Sequence, residues 1–286
     1  MIDRLASLSF LIVLLLWGSS GYAKALQVTV SIPPQKYFVT QIAGDHVAVN
    51  VMVSSSSDPH TYEPRPQQML ALGASRLYFS IGVEFETLWL KRFQKMYPQM
   101  NIVDTSAEIS KRKLPLPPYS NKKSSEMEDS HVWLSPLQVK HQASAIYDAL
   151  LEADPENRAF YQKNYERFLK KLELLHEKLG KILAPVQGHK FVVFHPVWGY
   201  FAQDYDLQQI PIELEEKPLK PSQLQKVIES IKSYRVRTIF TQPLLPLRSV
   251  KTIAQATGSS LIELNPMSPD WSKNLEYAAH QIASAR

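Results

Sequence analysis

The longest regular pattern in the chain is an apolar stripe. Tyr161, Tyr165, Phe168, Leu172, Leu175, Leu179 and Ile182 recur at alternating spacings of four and three residues, which places them on one face of a helix. Glu173, Glu177 and the neighbouring Lys170, Lys171 and Lys178 fall on other faces. Asp154 reads as the N-cap, Pro155 as the first helical residue and Glu156 as a first-turn acid, while Pro185 and Gly188 supply the stop. The spacing predicts one helix over 155–183. At ~1.5 Å per residue it is about 40 Å long, enough to run along two packed lobes. The stripe is too short for a sustained coiled-coil seam, and both flanks carry a different rhythm.

In those flanks short β-like runs alternate with helical ones. Before the long helix, strands are predicted over 27–32, 47–53 (Val47, Val49, Val51 and Val53 alternate), 77–81 and 101–104. Helices are predicted over 34–43, closed by Gly44, and over 66–73, 85–97 and 136–151. After it, strands are predicted over 190–194, 208–212, 238–240 and 260–264. The helices there are 197–205, 221–234, 247–257 (capped by Gly258) and 271–284. Such alternation predicts an α/β protein of two lobes, each a mostly parallel four-stranded sheet flanked by helices. The lobes are placed at 26–154 and 185–286, bridged by one spine helix at 155–184. Residues 110–130 interrupt the pattern. They are rich in Lys, Pro, Ser and Glu without apolar periodicity, and read as a mobile excursion.

Composition narrows the setting. Arg4, the apolar run 8–17 and Ala23-Lys24-Ala25 read as a cleavable signal peptide over 1–25, cut after Ala25 or Ala23. The apolar run is about half the roughly twenty residues a membrane span needs. There is no cysteine, which excludes disulfides, thiolate metal ligands, a cysteine nucleophile and a lipid-modified cysteine at the cleavage point. A periplasmic protein fits these facts. The sequence pI near 9.1 invites a nucleic-acid reading, but the basic residues are spread out, with small clusters only at 111–113 and 122–123. Net charge of that kind speaks to solubility and steering.

Of eight histidines, three stand beyond apolar strands or at a chain reversal. His60 follows the 47–53 strand through a serine-rich loop, His131 opens the segment after the excursion, and His195 comes directly after Phe194. His46, His141, His176, His189 and His280 are assigned to the surface. In parallel α/β sheets ligands gather beyond the carboxyl ends of the strands. Singly, each of the three is more often a hydrogen-bonded or exposed histidine than a ligand. Together they suit Zn, Cu, Ni or Fe and leave one position of a tetrahedron to fill.

Several strings in order carry a family resemblance. Asp58-Pro59-His60-Thr61-Tyr62-Glu63-Pro64, Ser130-His131-Val132-Trp133-Leu134-Ser135-Pro136 and Phe194-His195-Pro196 with Gly199-Tyr200-Phe201 are three of them. Pro221-Ser222, Ile239-Phe240-Thr241-Gln242-Pro243 and Leu264-Asn265-Pro266-Met267 follow. The chain resembles the periplasmic solute-binding proteins of zinc and manganese ABC importers, in their zinc-binding branch. The resemblance implies two lobes joined by a rigid helix, with metal in the cleft between them. It makes His60 and His131 first-lobe ligands and His195 a second-lobe ligand. Asn265 stands where the family commonly has Asp, so the fourth position is open among Asn265, a water, Glu63 and Asp270. Gln242 likewise stands where Glu is usual.

A third imidazole argues for Zn²⁺ as the transported ligand, because manganese-type members mix two histidines with two carboxylates; Mn²⁺ and Fe²⁺ are the alternatives. The excursion lacks the histidine-rich run of many zinc members. It offers Glu126, Glu128 and Asp129, read as at most weak attractors of cations. The implied role is a monomeric receptor, not an enzyme, that hands metal to a membrane permease driven by a cytoplasmic ATPase and contacts no nucleic acid. Imidazoles bind metal as neutral groups, so affinity is expected to fall on acidification. From another class, a zinc hydrolase has the ligand count, with Glu63 nearby, but not a His-Glu-x-x-His string. A binding protein for a non-metal ligand, or an adhesin, makes the histidines incidental.

Overall fold

The computed structural model describes residues 25–54, 57, 62–122, 125–213, 219–243 and 247–285. The expected signal peptide, apart from Ala25, lies outside the described residues, as do His60 and Lys123.

The strands are β1 (Leu26–Val30), β2 (Val47–Val51), β3 (Leu77–Ser80), β4 (Asn101–Asp104), β5 (Lys190–Val193), β6 (Gln208–Pro211), β7 (Thr238–Thr241) and β8 (Ser260–Glu263). The helices are α1 (Pro33–Ala43), α2 (Pro66–Gly73), α3 (Glu84–Met96), α4 (Pro136–Ala153), α5 (Arg158–Leu183), α6 (Gly199–Asp204), α7 (Pro221–Tyr234), α8 (Leu247–Thr257) and α9 (Trp271–Ser284). They build two four-stranded sheets in the orders β2-β1-β3-β4 and β6-β5-β7-β8, and every pairing is parallel. The order reverses between β1 and β3 and between β5 and β7, so each lobe has one crevice at the carboxyl edge of its sheet.

The second sheet shows how alternation divides the interior. Val192 and Ile239 point to one face, where Phe194, Ile212, Val227, Ile231, Val250 and Ile253 close a small core. Phe191, Val193 and Phe240 point to the other and join a large core that continues across α5 into the first lobe. The lobes thus share hydrophobic interior instead of meeting at a wet seam.

The spine is α5, 26 residues long, and it begins three residues later than the stripe predicts. Pro155–Asn157 forms a separate 3-10 turn. Asp154 accepts from the Asn157 amide (2.7 Å) and from the Tyr161 hydroxyl, so it closes that turn and does not cap the α-helix. Tyr161, Phe168, Leu172, Leu175, Leu179 and Leu183 are buried, while Tyr165 and Ile182 sit half-buried at the margin. Asn164 is buried in the same face, where its amide donates to the Ile42 carbonyl (3.1 Å). The stripe packs on α1, α4 and α9. Although α9 follows the second sheet, Trp271 meets Phe38 of α1 edge-on at 5.1 Å.

The excursion differs from its expected formlessness. Lys113 and Glu128 pair as an antiparallel bridge. Leu114 N–H donates to the Met127 carbonyl (3.0 Å) and Asp129 N–H to the Arg112 carbonyl (2.9 Å). Its polar residues lack apolar periodicity because they are held by backbone pairing and by the opposite lobe. Among the described residues no helix is long and apolar enough to cross a membrane.

Candidate metal centre

β5 ends at Val193, and Phe194 N–H still pairs with the Phe240 carbonyl of β7 (2.8 Å). His195 therefore leaves the sheet at the point where strand order reverses. It is buried (4% exposed). Its Nδ1 lies 2.8 Å from Glu213 Oε1. Glu213 comes just after β6, and its own N–H donates to the Phe194 carbonyl (3.0 Å), which pins the carboxylate beside the strand that carries His195.

His131 reaches the same region from the first lobe, at the start of the 3-10 turn Val132–Leu134. It is equally buried. Oδ1 of Asp129 meets both the His131 N–H (3.0 Å) and Nδ1 (2.8 Å), and Oδ2 accepts from Arg112 Nη1 (3.1 Å). A carboxylate on Nδ1 selects the Nδ1–H tautomer and leaves Nε2 as the nitrogen able to take a metal. The two imidazoles face each other edge to face, ring centres 5.9 Å apart. With metal–nitrogen bonds of about 2 Å, two imidazoles on one tetrahedral ion have ring centres about 5 Å apart. A small approach of the rings completes that spacing.

The other candidates are arranged differently. The chain beyond His60 is tied down by the Tyr62 hydroxyl on Gln68 (2.6 Å) and by the Gln68 amide on the Met52 carbonyl. Asn265 Oδ1 accepts from Met267 N–H (2.9 Å), the side-chain turn that Asn commonly forms, and the Asn265 carbonyl accepts from Asn274 (2.8 Å). This turn is fastened close to His131, because Trp133 donates to the Pro266 carbonyl (2.8 Å). Glu63 and Asp270 are exposed, and Gln242 is half-buried. Among the described residues no group of three or more His, Cys, Asp or Glu is placed to hold a metal; the third histidine of the set, His60, is not one of them.

The comparisons decide the family. A model described as "ZnuA: Zinc-uptake complex component A periplasmic" matches residues 28–285. The chain belongs to the ZnuA family. The crystal structure of a ZnuA deletion mutant with zinc bound is 41% identical, with a TM-score of 0.84, covering 92% of this chain and 98% of that one. The high-affinity zinc uptake system protein ZnuA of Bacillus subtilis is 26% identical over 85% of this chain and 78% of its own. The manganese-binding lipoprotein MntA of Halalkalibacterium halodurans is 25% identical over 84% and 79%.

Within this ZnuA-family frame, the sequence reading missed Glu213 and misjudged Asp129. Asp129 is not a loop acid loosely attracting cations; it is fully buried and orients His131. A signal existed for both. Asp129 stands two residues before a candidate ligand, and Glu213 stands one residue beyond the 208–212 strand, beside the strand that delivers His195.

A third buried carboxylate marks the crevice of the first lobe. Glu86 accepts from Ile81 N–H (3.0 Å), Gly82 N–H (2.8 Å) and the Ser31 hydroxyl, and Ser31 also contacts the Tyr78 hydroxyl (2.7 Å). Burial pushes Glu86 up to about 7 in spite of those donors. Lys111 Nζ is buried nearby without a hydrogen-bond partner; burial lowers its pKa, with Asp104, Asp129, Glu128 and Glu86 opposing.

Proposed function

We propose that the chain is a periplasmic receptor that captures Zn²⁺ between its lobes and delivers it to an ATP-driven permease. The observation that carries this reading is the pair of buried imidazoles from opposite lobes, each with a buried carboxylate on Nδ1. His131 and His195 bind through Nε2, with His60 as third ligand. The fourth position falls to Asn265, a water, Glu63 or Asp270, with Asn265 favoured by its attachment beside Trp133.

Imidazole donors suit zinc better than manganese, which prefers oxygen. The zinc-bound ZnuA structure and the zinc-uptake relative of Bacillus subtilis support the same choice. The manganese-binding relative makes Mn²⁺ the alternative cargo. The role is carriage, in keeping with the zinc-uptake component that the matching family model describes.

The test is metal content and chelator competition on the mature, stripped protein offered Zn²⁺, Mn²⁺ and Fe²⁺. One tightly held zinc, lost with His60→Ala and with His195→Ala, is expected. No stoichiometric metal under any condition overturns the reading, and preferential uptake of Mn²⁺ replaces the cargo.

A further inference from the structure

The Arg112–Asp129 rung of the excursion lies against the first turn of α6, in the opposite lobe. The Tyr200 hydroxyl accepts from Arg112 N–H (3.1 Å) and donates to the Asp129 carbonyl (3.1 Å). One phenol therefore clasps both strands of the rung. The guanidinium carbon of Arg112 lies 5.7 Å from the centre of the Tyr200 ring, within reach of a cation–π attraction.

Gly199 completes the seat. A methyl group on its α-carbon would fall 1.4 Å from Arg112 Nη1, 2.7 Å from Arg112 Cζ and 2.5 Å from Asp129 Oδ2. Gly199 does not have positive φ, so its backbone would accept alanine. What forbids a side chain is the guanidinium resting on it, with the Asp129 carboxylate beside that guanidinium. Arg112 is long and half-buried, so an added methyl group pushes Arg112, and the Asp129 carboxylate it holds, out of place before it disturbs the sheet.

We propose that Gly199 and Tyr200 of the second lobe are positioning residues for His131 of the first, acting through Arg112 and Asp129. The inference rests on the metal-receptor reading and adds a coupling to it. While the lobes are together, the second lobe holds Arg112 on Oδ2 of Asp129, and Oδ1 then stays on the imidazole. When they part, Arg112 loses its seat, the carboxylate can rotate, and a ligand on the far lobe loosens. Separation thereby weakens the site from both sides of the cleft.

The experiment is zinc competition titration of the mature chain carrying Gly199→Ala, Asp129→Asn and both, with His131→Ala as reference. Each of the first two is expected to weaken zinc about 10-fold, the usual scale for a partner that orients a metal ligand. The double variant should also lose about 10-fold, and not the roughly 100-fold that independent effects produce. Tyr200→Phe keeps the ring, removes the clasp, and should show a smaller loss that likewise disappears in the Asp129→Asn background. Wild-type affinity in both Gly199→Ala and Tyr200→Phe, or factors that multiply, overturns the coupling while leaving the receptor reading intact if His131→Ala still abolishes binding. Wild-type affinity in His131→Ala removes the receptor assignment of that residue, and the coupling with it.

Discussion

At the carboxyl edge of the first sheet, Ser31 leaves β1 and gives its hydroxyl to Glu86, whose other partners are the Ile81 and Gly82 N–H groups. At the matching edge of the second sheet, His195 leaves β5 and its ring meets Glu213. Both sheets have the same strand order, and each central strand ends beside a buried carboxylate, Glu86 on the β3 side of β1 and Glu213 on the β6 side of β5. In the first lobe that carboxylate is enclosed by backbone donors and a hydroxyl, and the crevice is sealed. In the second it orients the His195 imidazole, a ligand of the proposed metal site. The fold brings a buried carboxylate to the end of each central strand, though on opposite sides of it; the side chain that leaves that strand decides whether the carboxylate serves the fold or, in the proposed site, the ligand.

The comparison breaks most sharply on His195→Ala, expected to lower zinc affinity by on the order of 100-fold or more, beyond the loss typical of an orienting partner. Glu86→Gln in the sealed crevice should leave zinc stoichiometry unchanged in the same titration.

Next in size is a pH effect centred on the first crevice. Glu86 is raised from its usual value to about 7, chiefly by burial, so the folded state holds a proton more tightly than the unfolded chain. Its contribution is full below the ordinary carboxylate range and is lost as pH rises from about 4.5 to about 7, amounting to about 3 kcal/mol at ~1.4 kcal/mol per unit. Asp204, raised by burial to about 6, adds in the same sense over a lower window. Denaturant unfolding of the metal-free protein should therefore show stability falling across this range, and Glu86→Gln should flatten most of the slope. An unchanged slope in the variant would place the titration elsewhere.

Glu213→Ala sharpens the other side. Zinc affinity should drop about 10- to 100-fold through loss of the group that orients His195, as competition titration will read. The smallest effect is expected from Asn265→Asp, where an added charge beside the site should tighten zinc a few-fold while the turn to Met267 persists, because a carboxylate accepts the same N–H. Weaker binding in that variant would remove position 265 from the ligand set.

Much of this was legible in the chain. The stripe through Phe168, Leu172, Leu175 and Leu179 marked the buried face of α5, and the alternation of β-like and helical runs marked two parallel sheets, because period and burial are local properties. His195 could be picked out as the residue that leaves an apolar run at a sheet edge, and His131 as the one that opens the segment after the excursion. The motif order around them pointed to the family. The start of α5 was less readable, since the competing bonds of Asp154 to Asn157 and Tyr161 depend on how the turn closes.

What tertiary structure alone decided is which carboxylates serve which histidines and which glycine must stay bare. Asp129 looked like one acid among several in a polar excursion until backbone pairing with Arg112 buried it against His131. Glu213 lies 18 residues from His195 along the chain and meets it only because β5 and β6 are neighbours. Gly199 carries no sign in its own backbone conformation, and its importance comes from an arginine 87 positions earlier (199 minus 112). Local sequence determines periodicity, turns and strand ends because those depend on near neighbours. The partners of a buried charge are set by which distant segments share a crevice, and that is a property of the folded chain.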